Sequence, residues 1–352
     1  MLEAEDSRQR SSEPLQWVYY RQMQTRVDCL WTGNKSSSCA SRREFDGFWV
    51  MPPCVGFGNI PGHVFCRIKD DTVAVAGFSG NEGSHILLVR MPDQEPKVLP
   101  SLYRWGTYFG LACHDARLYI LARRNHRDYL LVANLDGSIA QCYAVRDHKG
   151  NPRTIFGRER TIYGPFRVAI TASRTLLISE PFVWRRMCEY TLTGRLIREW
   201  EGVTGYAVCP EGRVYVSGEP RPSDGLTVVK PPSNLHPSAW SLLGIDKEYR
   251  LYWRAFVKRS VSDVVPHTGK VWKETYEFNQ LACSSLEGRL LWQVELDGPQ
   301  GVLAYYDPNL HASGGVGGGW LEIEPSGSVL AFCVSRSEKV AGGVGFYRVK
   351  VE

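Results

Sequence analysis

Nowhere in its 352 residues does this chain reach the roughly 18 uninterrupted apolar residues that a membrane-spanning helix needs. The first fourteen residues, Met1 to Pro14, are charged and polar and lack the apolar core of a secretory signal. These absences lead to the expectation of a soluble, cytoplasmic protein without membrane insertion, with a disordered tail over 1–14 and a single domain over 15–352. Cys-x-x-Cys does not occur among the ten cysteines, which argues against zinc ribbons and dithiol redox motifs. The eight histidines form neither His-x-His nor His-Glu-x-x-His, and there is no Gly-x-Ser-x-Gly elbow. No metal site and no cofactor are therefore expected. Charge of one sign is also scarce: a net +5 falls short of a nucleic-acid-coating protein, so only local clustering of bases carries weight.

What the chain does have is punctuation. Thirty-four glycines and twenty prolines break it into short segments, which favours many strands over long helices. One pattern recurs about six times: an apolar run, a tight polar turn, and a second run rich in β-branched and aromatic residues. The turns are Lys69-Asp70-Asp71, His114-Asp115-Ala116, Ala172-Ser173-Arg174, Pro210-Glu211-Gly212, Asp246-Lys247-Glu248 and Pro325-Ser326-Gly327. A second turn, between third and fourth runs, repeats as Leu135-Asp136-Gly137, Leu192-Thr193-Gly194 and Leu286-Glu287-Gly288. Strand-rich modules of this length bury their faces only against neighbours, and they predict an all-β, six-bladed β-propeller, with seven blades as the alternative if the segment up to Pro61 holds another.

The fourth module shows no fourth strand before Trp240, and the sixth ends after three. Gln16–Tyr20 or Val27–Trp31 is apolar enough to supply the missing strand, so that strands from both ends of the chain would close the ring. The interval Asp297–Gly319, with its run Ser313 to Gly319, reads as an inserted flexible loop. It lacks the Gly-Lys-Ser/Thr ending of a phosphate-binding loop.

In hairpins such as Glu211-Gly212-Arg213-Val214-Tyr215-Val216 and Gly194 to Trp200, residues 63–352 resemble six-bladed propellers of the NHL-repeat and calcium-dependent lactonase type. The resemblance implies the ring and no more. The Asp and Asn-x-Arg signature of NHL repeats and the acidic-and-Asn metal set of the lactonases are absent, so no functional residue carries over.

Two surfaces remain as candidates. Loops from second to third strand share one face of a propeller, and here they hold Arg123, Arg124 and Arg127, then Arg185 and Arg186, then Lys258 and Arg259. Arginine interleaved with Trp105, Trp184 and Trp272 is a mix suited to anions and stacking. The expectation drawn from it is a non-enzymatic scaffold docking an acidic protein partner there, with single-stranded nucleic acid as one alternative. The other alternative is a hydrolase or lyase-type enzyme with a metal or carboxylate site at the channel. Its candidates are Glu322 and Glu324, two apart on an innermost strand and so on one face. A small-molecule ligand stays unknown at this level.

Overall fold

The computed structural model describes residues 25–32, 44–45, 48–49, 65–69, 72–78, 84–90, 97–102, 105–155, 167–180, 185–233, 235, 240–264, 271–296, 304–307, 312–335 and 344–351. Strand β1 (Thr25–Thr32) is followed by a small hairpin of β2 (Glu44–Phe45) and β3 (Phe48–Trp49). Blade one consists of β4 (Phe65–Lys69), β5 (Thr72–Phe78), β6 (Ser84–Arg90) and β7 (Lys97–Val98). Blade two is β8 (Thr107–His114), β9 (Arg117–Arg124), β10 (Arg127–Asn134) and β11 (Ile139–Ala144). Blade three is β12 (Arg167–Ile170), β13 (Thr175–Glu180), β14 (Arg186–Thr191) and β15 (Leu196–Glu201).

Among the described residues blade four has three strands, β16 (Val203–Val208), β17 (Val214–Gly218) and the short β18 (Thr227–Val228), which pairs parallel to β17. Blade five is β19 (Trp240–Ile245), β20 (Leu251–Val264), β21 (Val271–Ser284) and β22 (Leu290–Glu295). Blade six runs β23 (Ala304–Asp307), β24 (Ala312–Ile323), β25 (Val329–Ser335) and β26 (Val344–Val351), and β1 adds to its outer edge. Together these sheets form a six-bladed β-propeller.

Closure follows expectation. Thr25 pairs with Val351 and Thr32 with Gly345, so a strand from early in the chain lies antiparallel on β26. Val27–Trp31 falls within it, while Gln16–Tyr20 and the tail 1–14 lie outside the described residues. The described part of the segment before Pro61 holds only the β2–β3 hairpin and β1, which favours six blades over seven.

Two expectations are corrected. Asp297–Gly319 is no featureless loop. The glycine run lies in β24, whose first residues pair with β23 from Ala304↔Gly315 to Asp307↔Ala312. Lys258 and Arg259 are not loop residues either. They sit inside the 14-residue strands of the blade-five hairpin, opposite Glu277 and Tyr276. In both places charged or glycine-rich composition masks strand pairing, because two strands extended side by side satisfy each other's backbone whatever their side chains.

The turns behave as their chemistry requires. Asp115 and Ala116 both take positive φ, 48° and 55°, as do Asn125 and His126 at 50° and 61°, the signature of a tight two-residue hairpin. Asp136 Oδ1 accepts from the Ser138 N–H at 2.8 Å, and Gly137 takes φ 92°. Asp246 Oδ1 likewise accepts from the amides of Glu248 and Arg250, both at 2.9 Å.

Middle strands are buried on both faces because each blade is covered by two neighbours. Leu118 to Ala122 of β9 are all buried, whereas outer β11 leaves Ala140, Gln141 and Cys142 exposed. The apolar clusters therefore sit between blades rather than within one central core. Leu111 and Ile120 meet Cys66 and Ile86 between blades one and two, and Leu121 meets Val168 and Ile178 between two and three. Met187 meets Tyr206 between three and four, Tyr215 meets Trp253 between four and five, and Leu281 meets Val329 between five and six. Phe65, Val73, Val75, Leu87 and Val89 of blade one and Leu330 of blade six are also buried, on the strand faces opposite those that pack toward blades two and five.

Innermost strands approach closely at β-bulges. At Gly205 an added Cβ would come 2.4 Å from the Leu242 carbonyl oxygen, and at Gly244 it would come 2.5 Å from the Ile323 side chain. Each glycine sits beside a register shift in its strand.

His85 is fully buried in β6, and burial lowers its pKa to about 4. The folded state then binds its proton less readily than the unfolded chain, where the imidazole titrates near about 6.5. Stability from this group is complete above that value and is lost as pH falls toward 4. The slope is about 1.4 kcal/mol per pH unit and the total is about 3 kcal/mol. Urea unfolding across that window should show this slope in the wild type and a shallower one in His85→Gln. Equal slopes would remove His85 from the acid sensitivity.

Candidate functional site

The chemistry of interest gathers where the innermost strands face the axis. Glu322 lies near the end of β24 in blade six. It interacts electrostatically with Arg67 and Cys66 of blade one, Cys113 of blade two and Arg167 of blade three. A residue of one blade can reach groups from three others only across the axis, so these side chains mark the channel.

Within that group the two carboxylates have separate roles. Glu324 is buried and fully engaged: Arg67 Nη1 donates to Oε1 at 3.2 Å, Arg348 Nε to Oε2 at 2.7 Å and Arg348 Nη2 to Oε1 at 3.1 Å. Because Arg67 belongs to blade one and Glu324 to blade six, this cluster adds a polar fastening to the seam between them. Glu324 is thereby a structural latch.

Glu322 is different. Its side chain is half-buried, it accepts a hydrogen bond from the Arg67 backbone N–H, and its Oε2 is closed to solvent without a hydrogen-bond partner. Burial raises its pKa above the ordinary carboxylate value, although Arg67 and Arg167 pull in the other direction. Such a carboxyl holds its proton at higher pH than an exposed one, which is the condition for general acid work.

Arg167 is held by its neighbours. It donates through Nη1 to the Tyr206 carbonyl and its guanidinium lies 5.0 Å from the centroid of the Tyr206 ring. Tyr206 is in turn fixed by donating to the Leu177 carbonyl at 3.0 Å. Burial lowers the Arg167 pKa, while Tyr206 and Glu322 raise it. The two thiols nearby are poor nucleophiles: burial pushes Cys113 up to about 11 and Cys66 well above its usual value, so both stay protonated near neutrality. Among the described residues no group of three or more His, Cys, Asp and Glu is placed to hold a metal ion.

The basic face is largely committed within the chain. Arg123 donates to the buried Asp128 through Nε at 2.6 Å and Nη2 at 3.0 Å. Arg186 Nη1 donates to Glu199 at 2.7 Å, and Arg153 meets the other oxygen of the same carboxylate at 2.5 Å. Arg124 stacks on Trp105 at 5.3 Å, and Trp105 itself packs edge-on against Tyr129 at 5.3 Å. Arg127 and Arg185 are exposed. The Lys258 and Arg259 side chains, together with Trp184, lie outside the described residues.

No family model matches the chain. No curated protein matches it either. Among solved structures it is similar to a proposed oxidoreductase (glucose dehydrogenase) of Thermus thermophilus, at 13% identity over 93% of this chain and 100% of that one, with a TM-score of 0.48. It is similar to a proposed 6-phosphogluconolactonase of Bacteroides uniformis at 10% identity, over 94% and 99% of the two chains, with a TM-score of 0.38. The polysaccharide lyase Uly1 is similar at 11% identity over 92% and 96%, with a TM-score of 0.39. Likeness at this level concerns the ring alone, which the strand pairing of this chain establishes independently.

The expectation of a non-enzymatic scaffold is corrected here. Two of the arginines meant to receive an acidic partner, Arg123 and Arg186, already hold carboxylates of their own chain. The nucleic-acid alternative drew on the same face and loses the same residues. Paired carboxylates were legible in the sequence. That Arg67, Arg167 and Arg348 would converge on them from separate strands was not, since no spacing links these positions.

No described helix is long and apolar enough to cross a membrane, which leaves β-barrels unaddressed.

Proposed function

We propose that this propeller is an enzyme working by acid–base chemistry at its axis, of hydrolase or lyase type, with Glu322 as the proton-transferring group. The observation that carries the reading is the solvent-closed, unpartnered Oε2 of Glu322 in a carboxyl whose pKa burial has raised. A buried acceptor without a partner is costly in a purely structural residue, by about 1–3 kcal/mol. Groups of this kind are concentrated at functional sites. Glu324 takes no part in proton transfer, because Arg67 and Arg348 already donate to both of its oxygens. The six cysteines whose side chains are described are free, which suits the reducing conditions of the cytoplasm.

The test is a turnover screen over small esters, lactones and glycosides with wild type and Glu322→Gln. Glutamine keeps the shape and removes the titrating proton, so kcat should fall about 100-fold or more. With Glu322 as the acid, wild-type activity should decline as pH rises through a pKa above the ordinary carboxylate range. That limb should vanish in the variant. Wild-type turnover by Glu322→Gln would dispose of the assignment.

A further inference from the structure

We infer that the axial site binds a hydroxylated monocarboxylate, with the carboxylate on Arg167 and a hydroxyl donated to Glu322. The inference rests on the reading of Glu322 as the working group and names the substrate class for it. It starts from three guanidinium groups, Arg67, Arg167 and Arg348, that among the described residues face two carboxylates, Glu322 and Glu324. Arg348 and Arg67 share Glu324 within 3.2 Å. Arg167 has no carboxylate within ion-pair distance among the described residues, although it senses Glu322 electrostatically.

At least one positive charge is left over: one when Glu322 is ionised and two when it holds its proton. A buried cation of this kind calls for a counter-charge. A carboxylate supplies the single counter-charge that Arg167, alone of the three among the described residues, lacks.

Geometry restricts the partner further. The Arg167 Nη1 donor is used on the Tyr206 carbonyl and one face of the guanidinium lies against the Tyr206 ring. The remaining N–H groups form a planar edge able to meet a carboxylate. Glu322 offers the opposite chemistry, an acceptor oxygen without a donor. The terminal torsion of a glutamate is soft, so a turn of the carboxyl exchanges its two oxygens and presents the unpartnered one. A ligand that satisfies both groups needs an anionic end and a hydroxyl. A plain carboxylate leaves Glu322 unpartnered, and a neutral polyol leaves Arg167 uncompensated.

The experiment is isothermal titration with three probes of one ring size: glucuronate, with charge and hydroxyls; glucose, with hydroxyls only; and cyclohexanecarboxylate, with charge only. Glucuronate should bind at least about tenfold more tightly than either, since each missing contact strands a buried polar group. Arg167→Lys should cut glucuronate binding about tenfold by losing the planar edge and leave glucose unchanged. Equal affinity for glucose would overturn the anion half, equal affinity for cyclohexanecarboxylate the hydroxyl half, and no binding of any probe the whole inference.

The three-probe comparison in wild type decides the matter even if Arg167→Lys does not fold. The two readings fail separately. If glucuronate does not bind while Glu322→Gln still abolishes turnover, the acid–base reading stands without this substrate class. If glucuronate binds selectively while Glu322→Gln turns over normally, the binding site stands and the catalytic role falls.

Discussion

Replacing Glu324 with alanine should destabilise the ring by about 3 kcal/mol, at the lower end of the range for breaking a buried ion pair. The carboxylate is 5% exposed, whereas Arg67 and Arg348 keep 31% and 23% of their side-chain surface. Water can therefore recover part of what the arginines lose, which argues for the lower figure. The effect is large because a buried carboxylate that joins blade six to blade one holds two arginines that lose their partner together. Urea unfolding of Glu324→Ala, Arg348→Met and the double variant measures it. The double variant should lose less than the two single losses added together, since removing both partners strands no charge. Strict additivity would mean that the latch is not a coupled unit.

Asp128→Ala should cost about 3–5 kcal/mol, the larger of the two effects. Its carboxylate is wholly buried and accepts from Arg123 at 2.6 and 3.0 Å and from the Ile155 amide at 2.7 Å. Arg123 is only 14% exposed, so water cannot take over the vacated place. The carbonyl of Asp128 also accepts from the Val145 amide, so the residue ties the β9–β10 hairpin to the link between blades two and three. Arg123→Ala should be destabilising as well, by strict contrast with a surface docking residue, whose loss would leave stability within about 0.5 kcal/mol of wild type. A neutral Arg123→Ala would return that arginine to the surface.

Much of the fold was legible before any coordinates. The six first turns and the three Leu-x-Gly turns fall between paired strands where the sequence places them, because side-chain caps and positive φ are local requirements. Closure by a strand from early in the chain was legible too, since a blade with three strands leaves an open edge. The long hairpin holding Lys258 and Arg259 was not. Its second-to-third loop looked charged, and extended pairing between charged strands has no strong periodic signal. The glycine run in β24 misled for a related reason, as glycine signals loops locally and is tolerated in strands where backbones bulge or approach.

Sequence alone thus determined the repeat and the turns, which depend on contacts only a few residues apart, and predicted six blades with seven as the alternative. It also put Glu322 and Glu324 on one face of one strand. Only the tertiary structure decided that Glu324 is a latch and Glu322 an unpartnered carboxyl, since Arg67 and Arg348 take one and burial near Arg167 isolates the other. The basic face illustrates the same division. Composition counts arginines, but whether an arginine is available depends on Asp128 and Glu199, whose positions beside it follow from how hairpins and blades pack. Charge is a property of the residue; what that charge can bind is decided by what the fold has already placed against it.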